Sequence, residues 1–417
     1  MQPMNGAALR RARIPDGATD VLLDDARRRI GIESVLRERF ARWGYTEAIT
    51  PAFEYREAAA ASGMEAGRLY AFPDPNGDLL VLRADATAAV ARVAATRLRE
   101  APRPLRISYV TTVFRRPGED RRRQAELPQA GVELIGSADP AADAEVLALS
   151  IEALQRLGVD DFQLHVGHVG LFGGLFEELD LSQTQIDNLK ETIDRRDHPT
   201  LERLMDDIGL PEDAACAVLA LLALSGGEDA LDRAGALVRN GTSQRGVENL
   251  AEILGALADF GLHDRVVIDP GEIRGLGYYT GMRCEALSHS TGFAIASGGR
   301  YDRLLGWFGT PTPAVGCAFR VDRIASILPR GYVGGPSRTE ALIRWDPSCR
   351  AAAFARVQEM RQAGRSVELE VVARSETEAI DYARSQGIRR LLAIEPTGPR
   401  EIPLSKRNAR DNEGCVQ

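Results

Sequence analysis

Apolar residues recur first at helical and then at strand-like intervals near the start of the chain. Residues 22–43 carry apolar side chains at helical spacing, and Gly44 follows as a stop signal, so they predict an amphipathic helix. The next segment, "YTEAITPAFEY" (45–55), alternates as a strand does up to Pro51. Two further short strands are expected on either side of the turn at residues 75–78.

The pattern over residues 105–136 predicts an antiparallel hairpin with a charged, arginine-rich tip. "LRISYVTTVFRR" alternates apolar and polar residues, and "AGVELIG" returns after the loop "PGEDRRRQAELPQ". Gln129 and Glu133 are separated by an even number of residues, so their side chains share one face of the sheet. Arg115 joins them if the register is favourable. Taken alone, the segment is equally compatible with a solvated charged hairpin.

The rest of the chain changes character three times. Residues 181–262 show only helical patterning and are interpreted as a helical insertion, and the Gly/Pro-rich stretch 329–338 as a linker. The last part, 339–417, predicts a small α/β unit. Other helices are predicted at about 141–157, 351–363 and 375–386, and a further one begins at about residue 301. Other strands are predicted at 161–169, 265–270, 278–287, 291–299, 366–372 and 388–395.

Composition narrows the class of protein. The 417 residues are 44% hydrophobic and 27% charged, with a net charge of -8, which is typical of a globular protein with no general attraction for nucleic acid or anionic membranes. Five single cysteines without CxxC spacing indicate reduced thiols. With neither an apolar signal-peptide region nor a run of eighteen apolar residues, we expect a cytoplasmic protein without a membrane span.

The stretch "GEIRGLGYYTG" (271–281) combines Arg274, Tyr278 and Tyr279 with four glycines. Glycines permit close backbone approach, so the segment fits the wall of a pocket for a small zwitterion. A strand edge that happens to carry tyrosines is the alternative. Similarly, Asp85 and Thr87 in "LRADAT" fit either a ligand site or a helix cap.

Other candidate chemistry is weaker. The glycine pair in "SGGRYDRLL" could present N–H groups to an anion at a strand-to-helix corner, or simply form a tight turn. His165 and His168 lie three apart on a predicted strand and therefore on opposite faces, which argues against a shared metal site. The sequence has no P-loop, GxGxxG, HExxH or GxSxG motif. We expect no metal and no cofactor.

Six segments in order carry a resemblance to a known family. "TPAFEY", "LRADATAAVARVAATRL", "VFRRPGEDRRRQAELPQAGVELIG", "IRGLGYYTG", "SGGRYDRLL" and "AVGCAFRVDR" resemble the series found in histidyl-tRNA synthetases and their paralogue, the regulatory subunit of ATP phosphoribosyltransferase. The resemblance spans roughly residues 14–328. It implies an α+β fold: a class II aminoacyl-tRNA synthetase-like antiparallel sheet flanked by helices. We therefore expect a core domain over 1–328 followed by the linker and the small α/β domain.

The same resemblance implies roles for individual residues. Asp85 matches the acidic residue that holds the substrate α-amino group, and Arg115 matches the motif-two arginine. Gln129 and Glu133 match a glutamine and a glutamate of the family's return strand. Arg274, Tyr278 and Tyr279 match the arginine and the two tyrosines of the family pattern "RGLDYYT". Arg323 matches a nucleotide phosphate ligand. The implied histidine-binding set is Asp85, Thr87, Arg115, Gln129, Glu133, Arg274, Tyr278 and Tyr279, with Arg123 and Arg323 as remnants of a nucleotide site.

Three departures favour the regulatory paralogue over the synthetase. Asp85 is shorter than the synthetase Glu, Gly277 replaces an Asp, and Arg320 replaces a glycine that lets ATP lie close to the backbone. We therefore expect no catalytic residues and a noncatalytic regulator of the first step of histidine biosynthesis. The alternative is a histidine–tRNA ligase. From Ser337 to Gln417 the 14 basic and 12 acidic residues are nearly balanced, which does not favour RNA binding.

The resemblance also implies partners. Members of the regulatory family associate with a short-form ATP phosphoribosyltransferase catalytic subunit in a hetero-octamer. They are required for its activity and transmit feedback inhibition by histidine. Self-association as a dimer is expected through the first motif, around Pro51 to Tyr55. Histidine is the expected effector.

Overall fold

The computed structural model describes residues 12–117, 124–179, 181–273, 278–290, 292–329 and 339–404. The chain divides into two compact units, Met1–Gly334 and Gly335–Gln417. Arg123, Arg274 and Gly277, which the sequence analysis singled out, lie outside the described residues, as does most of the expected linker.

An eight-stranded sheet forms the centre of the first unit. Its order is β1-β5-β6-β11-β10-β9-β7-β8; the β1/β5 and β7/β8 pairs are parallel and the other pairs antiparallel. A separate three-stranded sheet has the order β2-β4-β3. The strands of this unit are β1 Thr46–Glu47, β2 Phe53–Tyr55, β3 Ala71–Pro73, β4 Leu79–Leu82, β5 Leu105–Phe114, β6 Glu126–Ile135, β7 Phe162–His168, β8 Val266–Ile268, β9 Met282–Ser288, β10 Ala294–Arg300 and β11 Ala314–Arg320.

Helices pack on the sheet and form the core with it. The largest cluster of buried apolar residues joins the first and fourth helices to the central strands. In this unit the helices are α1 Leu23–Arg42, α2 Arg56–Ala59, α3 Ala86–Thr96, α4 Pro140–Arg156, α5 Gly170–Glu177, α6 Gln183–Asp194, α7 His198–Asp207, α8 Glu212–Ala223, α9 Glu228–Leu237, α10 Gly241–Asp259 and α11 Val321–Ile327.

Helices α6 to α10 occupy the stretch predicted as a helical insertion. The described residues of 181–262 contain these five α-helices and no strand. Ser182 begins the stretch with a capping box, in which its side chain and that of Gln185 bond each other's backbone N–H groups. These helices share an apolar core with α5.

The second unit is a small α/β sandwich. Strands β12 Ala341–Trp345, β13 Val367–Leu369 and β14 Arg390–Glu395 are parallel, and β15 Gly398–Ile402 pairs antiparallel with β14. The two helices between them are α12 Arg350–Gln362 and α13 Glu376–Ser385. The sequence patterns predicted both helices and two of the four strands; the first and last strands were missed.

Two local predictions differ from the structure. The strand predicted up to Pro51 is shorter than expected, since β1 covers only Thr46–Glu47, and β2 after Pro51 belongs to a different sheet. The helix expected from about residue 301 is a short 3-10 turn at Leu304–Phe308, followed by strand β11 and the short helix α11. Strand β11 lies in the middle of the sheet and is buried on both faces, so it lacks the polar alternation that marks a strand in sequence.

Candidate functional site

Asp85 and Thr87 lie at the amino-terminal end of α3. Asp85 Oδ1 accepts a hydrogen bond from the Thr87 backbone N–H at 3.2 Å, so the carboxylate caps the helix. The same side chain also lines the central cavity described below. Burial raises the pKa of Asp85, and the Arg115 charge and the backbone N–H groups of Thr87 and Ala88 oppose that shift. The helix-cap alternative is therefore confirmed for Asp85, and its role in ligand binding stays a prediction.

Glu133 is a fully buried acid with two hydroxyl donors. Thr87 Oγ1 donates to Glu133 Oε1 at 2.7 Å, and the hydroxyl of Tyr301 donates to Oε2. Burial raises the pKa of Glu133 to about 8, although both hydroxyl bonds act in the opposite direction. At neutral pH the group is therefore largely protonated.

Glycine at position 316 makes room for that carboxyl group. Gly316 lies directly opposite Glu133 in the β6–β11 ladder, and a Cβ there would overlap the Glu133 carboxyl. On the neighbouring strand β10, a Cβ at Gly298 would overlap the Gly316 carbonyl oxygen. The pair in "SGGR" thus lies inside a strand rather than at a strand-to-helix corner, and serves close packing of the sheet.

Tyr278 and Tyr279 form the opposite wall. Their ring centroids are 4.9 Å apart, and Tyr278 is also 5.7 Å from Tyr301 in an edge-to-face arrangement. The Tyr278 hydroxyl donates to Asp85 Oδ2 over 3.4 Å. Tyr278 and Tyr279 therefore form part of the cavity wall, while strand β9 begins only at Met282.

Gln129 and Arg115 complete the polar lining. Gln129 lies on β6 on the same face as Glu133, as the even spacing predicted, and its Oε1 is buried without a hydrogen-bond partner among the described residues. Arg115 follows β5 and its Nε donates to the Ala84 carbonyl at 2.9 Å. An unpartnered buried acceptor beside a fixed guanidinium is typical of a site that a polar ligand completes.

These residues enclose one cavity of about 50 Å³. The structure brings together seven of the eight residues proposed for histidine, and the eighth, Arg274, lies outside the described residues. Tyr301, the tyrosine of "SGGRYDRLL", also lines the cavity, although it was not among the residues predicted from the sequence. The cavity is lined by Asp85, Thr87, Arg115, Gln129, Glu133, Tyr278, Tyr279, Ser297, Gly298, Gly299, Tyr301, Gly316, Cys317 and Ala318.

Of the two residues proposed as remnants of a nucleotide site, only Arg323 is among the described residues. Arg323 does not line the cavity; it stacks on Phe293 at 5.3 Å and donates to the Ala294 carbonyl. Arg320, directly opposite Gln129 on the adjacent strand, forms two hydrogen bonds to Asp322 at 3.1 and 2.8 Å. Arg123 is outside the described residues.

The two histidines on β7 have separate surroundings. His165 Nδ1 lies 3.2 Å from Asp269 Oδ2, whereas His168 Nδ1 accepts a hydrogen bond from the Gly170 N–H at 3.0 Å. Within the described part of the chain, no three His, Cys, Asp or Glu side chains are arranged to hold a metal ion. None of the described helices is both long and apolar enough to cross a membrane.

Comparisons with known proteins agree on one family. The family model described as histidyl-tRNA synthetase matches residues 17–324. An ATP phosphoribosyltransferase regulatory subunit of Desulforamulus reducens is 35% identical over 93% of this chain and 97% of its own length. A histidine–tRNA ligase of Methanocaldococcus jannaschii is 34% identical over 401 residues, 95% of this chain and 94% of its own length.

A solved structure shows the same fold. It is titled an ATP phosphoribosyltransferase regulatory subunit/histidyl-tRNA synthetase from Bacillus halodurans, and it superposes with a TM-score of 0.83 at 27% identity, covering 93% of this chain and 99% of that one. The expected class II synthetase-like fold is confirmed. The chain belongs to the family that unites ATP phosphoribosyltransferase regulatory subunits with histidyl-tRNA synthetases.

Proposed function

We propose that this chain is the noncatalytic regulatory subunit of an ATP phosphoribosyltransferase and that it binds histidine in the cavity around Glu133. Its role is to enable a separate catalytic chain and to make that chain sensitive to histidine. Several relatives at about 35% identity over most of the chain are named ATP phosphoribosyltransferase regulatory subunits, which supports this assignment, and residues at the site add to it.

The chemistry of the cavity suits a histidine zwitterion. The Asp85 carboxylate is an anion for the ligand's ammonium group, and Arg115 is a cation within the same lining. We assign the ligand's carboxylate to Arg274, following the family pattern. Glu133, with the hydroxyls of the tyrosines, supplies polar partners for the two ring nitrogens of imidazole.

The observation that carries the noncatalytic assignment is the Arg320–Asp322 pair. The two Arg320 hydrogen bonds to Asp322 measure 3.1 and 2.8 Å, and both side chains are largely withdrawn from solvent. A bidentate pair holds the guanidinium in one orientation, opposite Gln129 at the end of β11. A nucleotide lying on this part of the sheet would have to displace it, so we infer that histidine is bound but not adenylated.

The relatives' names support a catalytic partner, and the rest of the proposed assembly comes from the family resemblance. A regulatory subunit acts on a catalytic chain, and we propose a short-form catalytic subunit as that partner, with four copies of each chain in a hetero-octamer. We further propose that this chain pairs with itself around Pro51 to Tyr55. Feedback inhibition then requires histidine to bind one arrangement of the complex more tightly than another.

The test is to mix the purified chain with a short-form catalytic subunit and measure phosphoribosyl transfer to ATP. We expect the mixture to be active, the catalytic chain alone to be far less active, and histidine to inhibit the mixture. Failure to co-purify with the catalytic chain would contradict the proposal.

Aminoacylation is the competing function, since one similar relative is named histidine–tRNA ligase and Arg115, Gln129 and Glu133 match the synthetase pattern. Incubation with ATP, histidine and labelled pyrophosphate tests it directly. Histidine-dependent pyrophosphate exchange would show that the chain acts as a synthetase and would contradict the proposed regulatory function.

A further inference from the structure

One row of residues crosses the floor of the cavity. Glu133, Gly316, Gly299 and Arg283 lie directly opposite one another on strands β6, β11, β10 and β9. Residues paired in this way project from the same face of a sheet. The buried acid Glu133 and the buried guanidinium of Arg283 therefore lie at the two ends of this row, and the two glycines between them have no side chains.

Tyr279 fills the space at the Arg283 end of this row. A Cβ at Gly299 would come within 2.9 Å of the Tyr279 ring, so the ring lies directly over this glycine. The Arg283 guanidinium carbon is 5.0 Å from the centroid of the same ring. The aromatic wall of the cavity is thus held between bare backbone and a cation.

Arg283 is itself fixed by its neighbours. Its Nη1 donates to the Gly298 carbonyl at 2.9 Å and to the Cys284 carbonyl, and its Nη2 donates to Glu285 Oε1 at 3.0 Å. Glu272, fully buried, adds a second carboxylate at 3.9 Å. Arg283 does not line the cavity, yet two of the residues it contacts, Tyr279 and Gly298, do.

We propose that Arg283 is a positioning residue that fixes the Tyr279 ring and thereby sets the selectivity of the cavity for a nitrogen-containing ring. This inference rests on the proposed histidine binding. A guanidinium against an aromatic face contributes both attraction and a flat contact surface, and a lysine supplies only the charge. Without the flat contact, Tyr279 can shift over Gly299, where no side chain opposes it.

The test compares two ligands of similar shape. L-Histidine and β-(2-thienyl)-L-alanine differ in the ring nitrogens, so the ratio of their dissociation constants, measured by calorimetry on the full chain, reports ring recognition. We expect Arg283→Lys to narrow the wild-type ratio of dissociation constants by about fivefold, because lysine keeps the charge but loses the flat contact with the Tyr279 ring. A second variant, Arg283→Met with Glu272→Gln, removes the cation together with the fully buried carboxylate 3.9 Å from it, leaves the partly exposed Glu285, and should narrow the ratio at least as much.

Arg265→Lys is the matched control. Arg265 also stacks on a ring, that of Phe162 at 5.6 Å, and donates to a backbone carbonyl, that of Asp160 at 2.8 Å, but it contacts no residue of the cavity lining. It should leave the ratio unchanged. If Arg283→Lys weakens the binding of both ligands equally, so that the ratio of their dissociation constants is unchanged, or if it has no effect on either, the inference is wrong. If the unaltered chain binds neither ligand, the proposed function itself fails.

Discussion

Gly316 and Glu133 face each other across two antiparallel strands, and the space that a side chain at 316 would need is filled by the Glu133 carboxyl. Substituting Gly316→Ala must therefore displace the acid or spread the strands. We expect a loss of about 1–3 kcal/mol in the free energy of unfolding, as for other overpacked sites, and loss of histidine binding. Denaturant unfolding and calorimetry measure the two effects.

The control for this substitution is Gly173→Ala in α5. A Cβ at Gly173 meets nothing within 4 Å, and alanine is favoured over glycine in a helix by about 1 kcal/mol. The control should be as stable as the parent or more so, with histidine binding intact. Equal behaviour of the two variants would show that the close contact at Gly316 has no energetic consequence.

The buried acid predicts a dependence of stability on pH. The pKa of Glu133 is raised to about 8 in the folded chain, from an ordinary value of 4.5, so between these pH values the folded state holds the extra proton. Stability contributed by this group therefore falls as pH rises from about 4.5 to about 8, by on the order of a few kcal/mol. In Glu133→Gln that fall should disappear, as seen by comparing urea unfolding of both proteins at pH 5 and pH 8. Parallel pH profiles would mean that Glu133 is ionised throughout.

His168 predicts the opposite dependence at acid pH. Burial lowers the pKa of His168 to about 4, with Arg300 adding to the effect, so the unfolded chain binds the proton first as pH falls. Its contribution to stability is present above the unfolded pKa of about 6.5 and is lost toward pH 4, by about 3 kcal/mol.

His168→Asn tests this contribution, because an amide oxygen can still accept the hydrogen bond from the Gly170 N–H. We expect the melting temperature of the variant to fall less than that of the parent between pH 6.5 and pH 5. A steeper fall in the variant would show that protonated His168 is stabilised in the folded chain.

The Arg320–Asp322 pair predicts a gain of nucleotide binding. Arg320→Gly removes the guanidinium beside Gln129 and should tighten ATP binding by about tenfold, equivalent to about 1.4 kcal/mol. Arg320→Lys retains a long cationic side chain and should bind ATP no better than the parent. Weaker ATP binding in Arg320→Gly would instead identify Arg320 as a phosphate ligand.

Much of the fold followed from periodicity because it depends on local spacing. Helix α1 has one buried apolar stripe, and the even spacing of Gln129 and Glu133 assigned both to one face of the hairpin. Strand β11 escaped detection because both its faces are buried. Tyr301 escaped for another reason: its partner Glu133 is 168 residues away, and no local pattern encodes that pairing.

The residues that hold Glu133 and Asp85 also come from distant parts of the chain, at separations of 46 residues for Thr87 and 193 for Tyr278. No short fragment can form this cavity, so it exists only once the first unit has folded as a whole. A ligand bound there opposes unfolding of that entire unit, by RT ln(1 + [L]/Kd). The cellular concentration of the ligand would then affect the lifetime of the folded chain in addition to its proposed regulatory role.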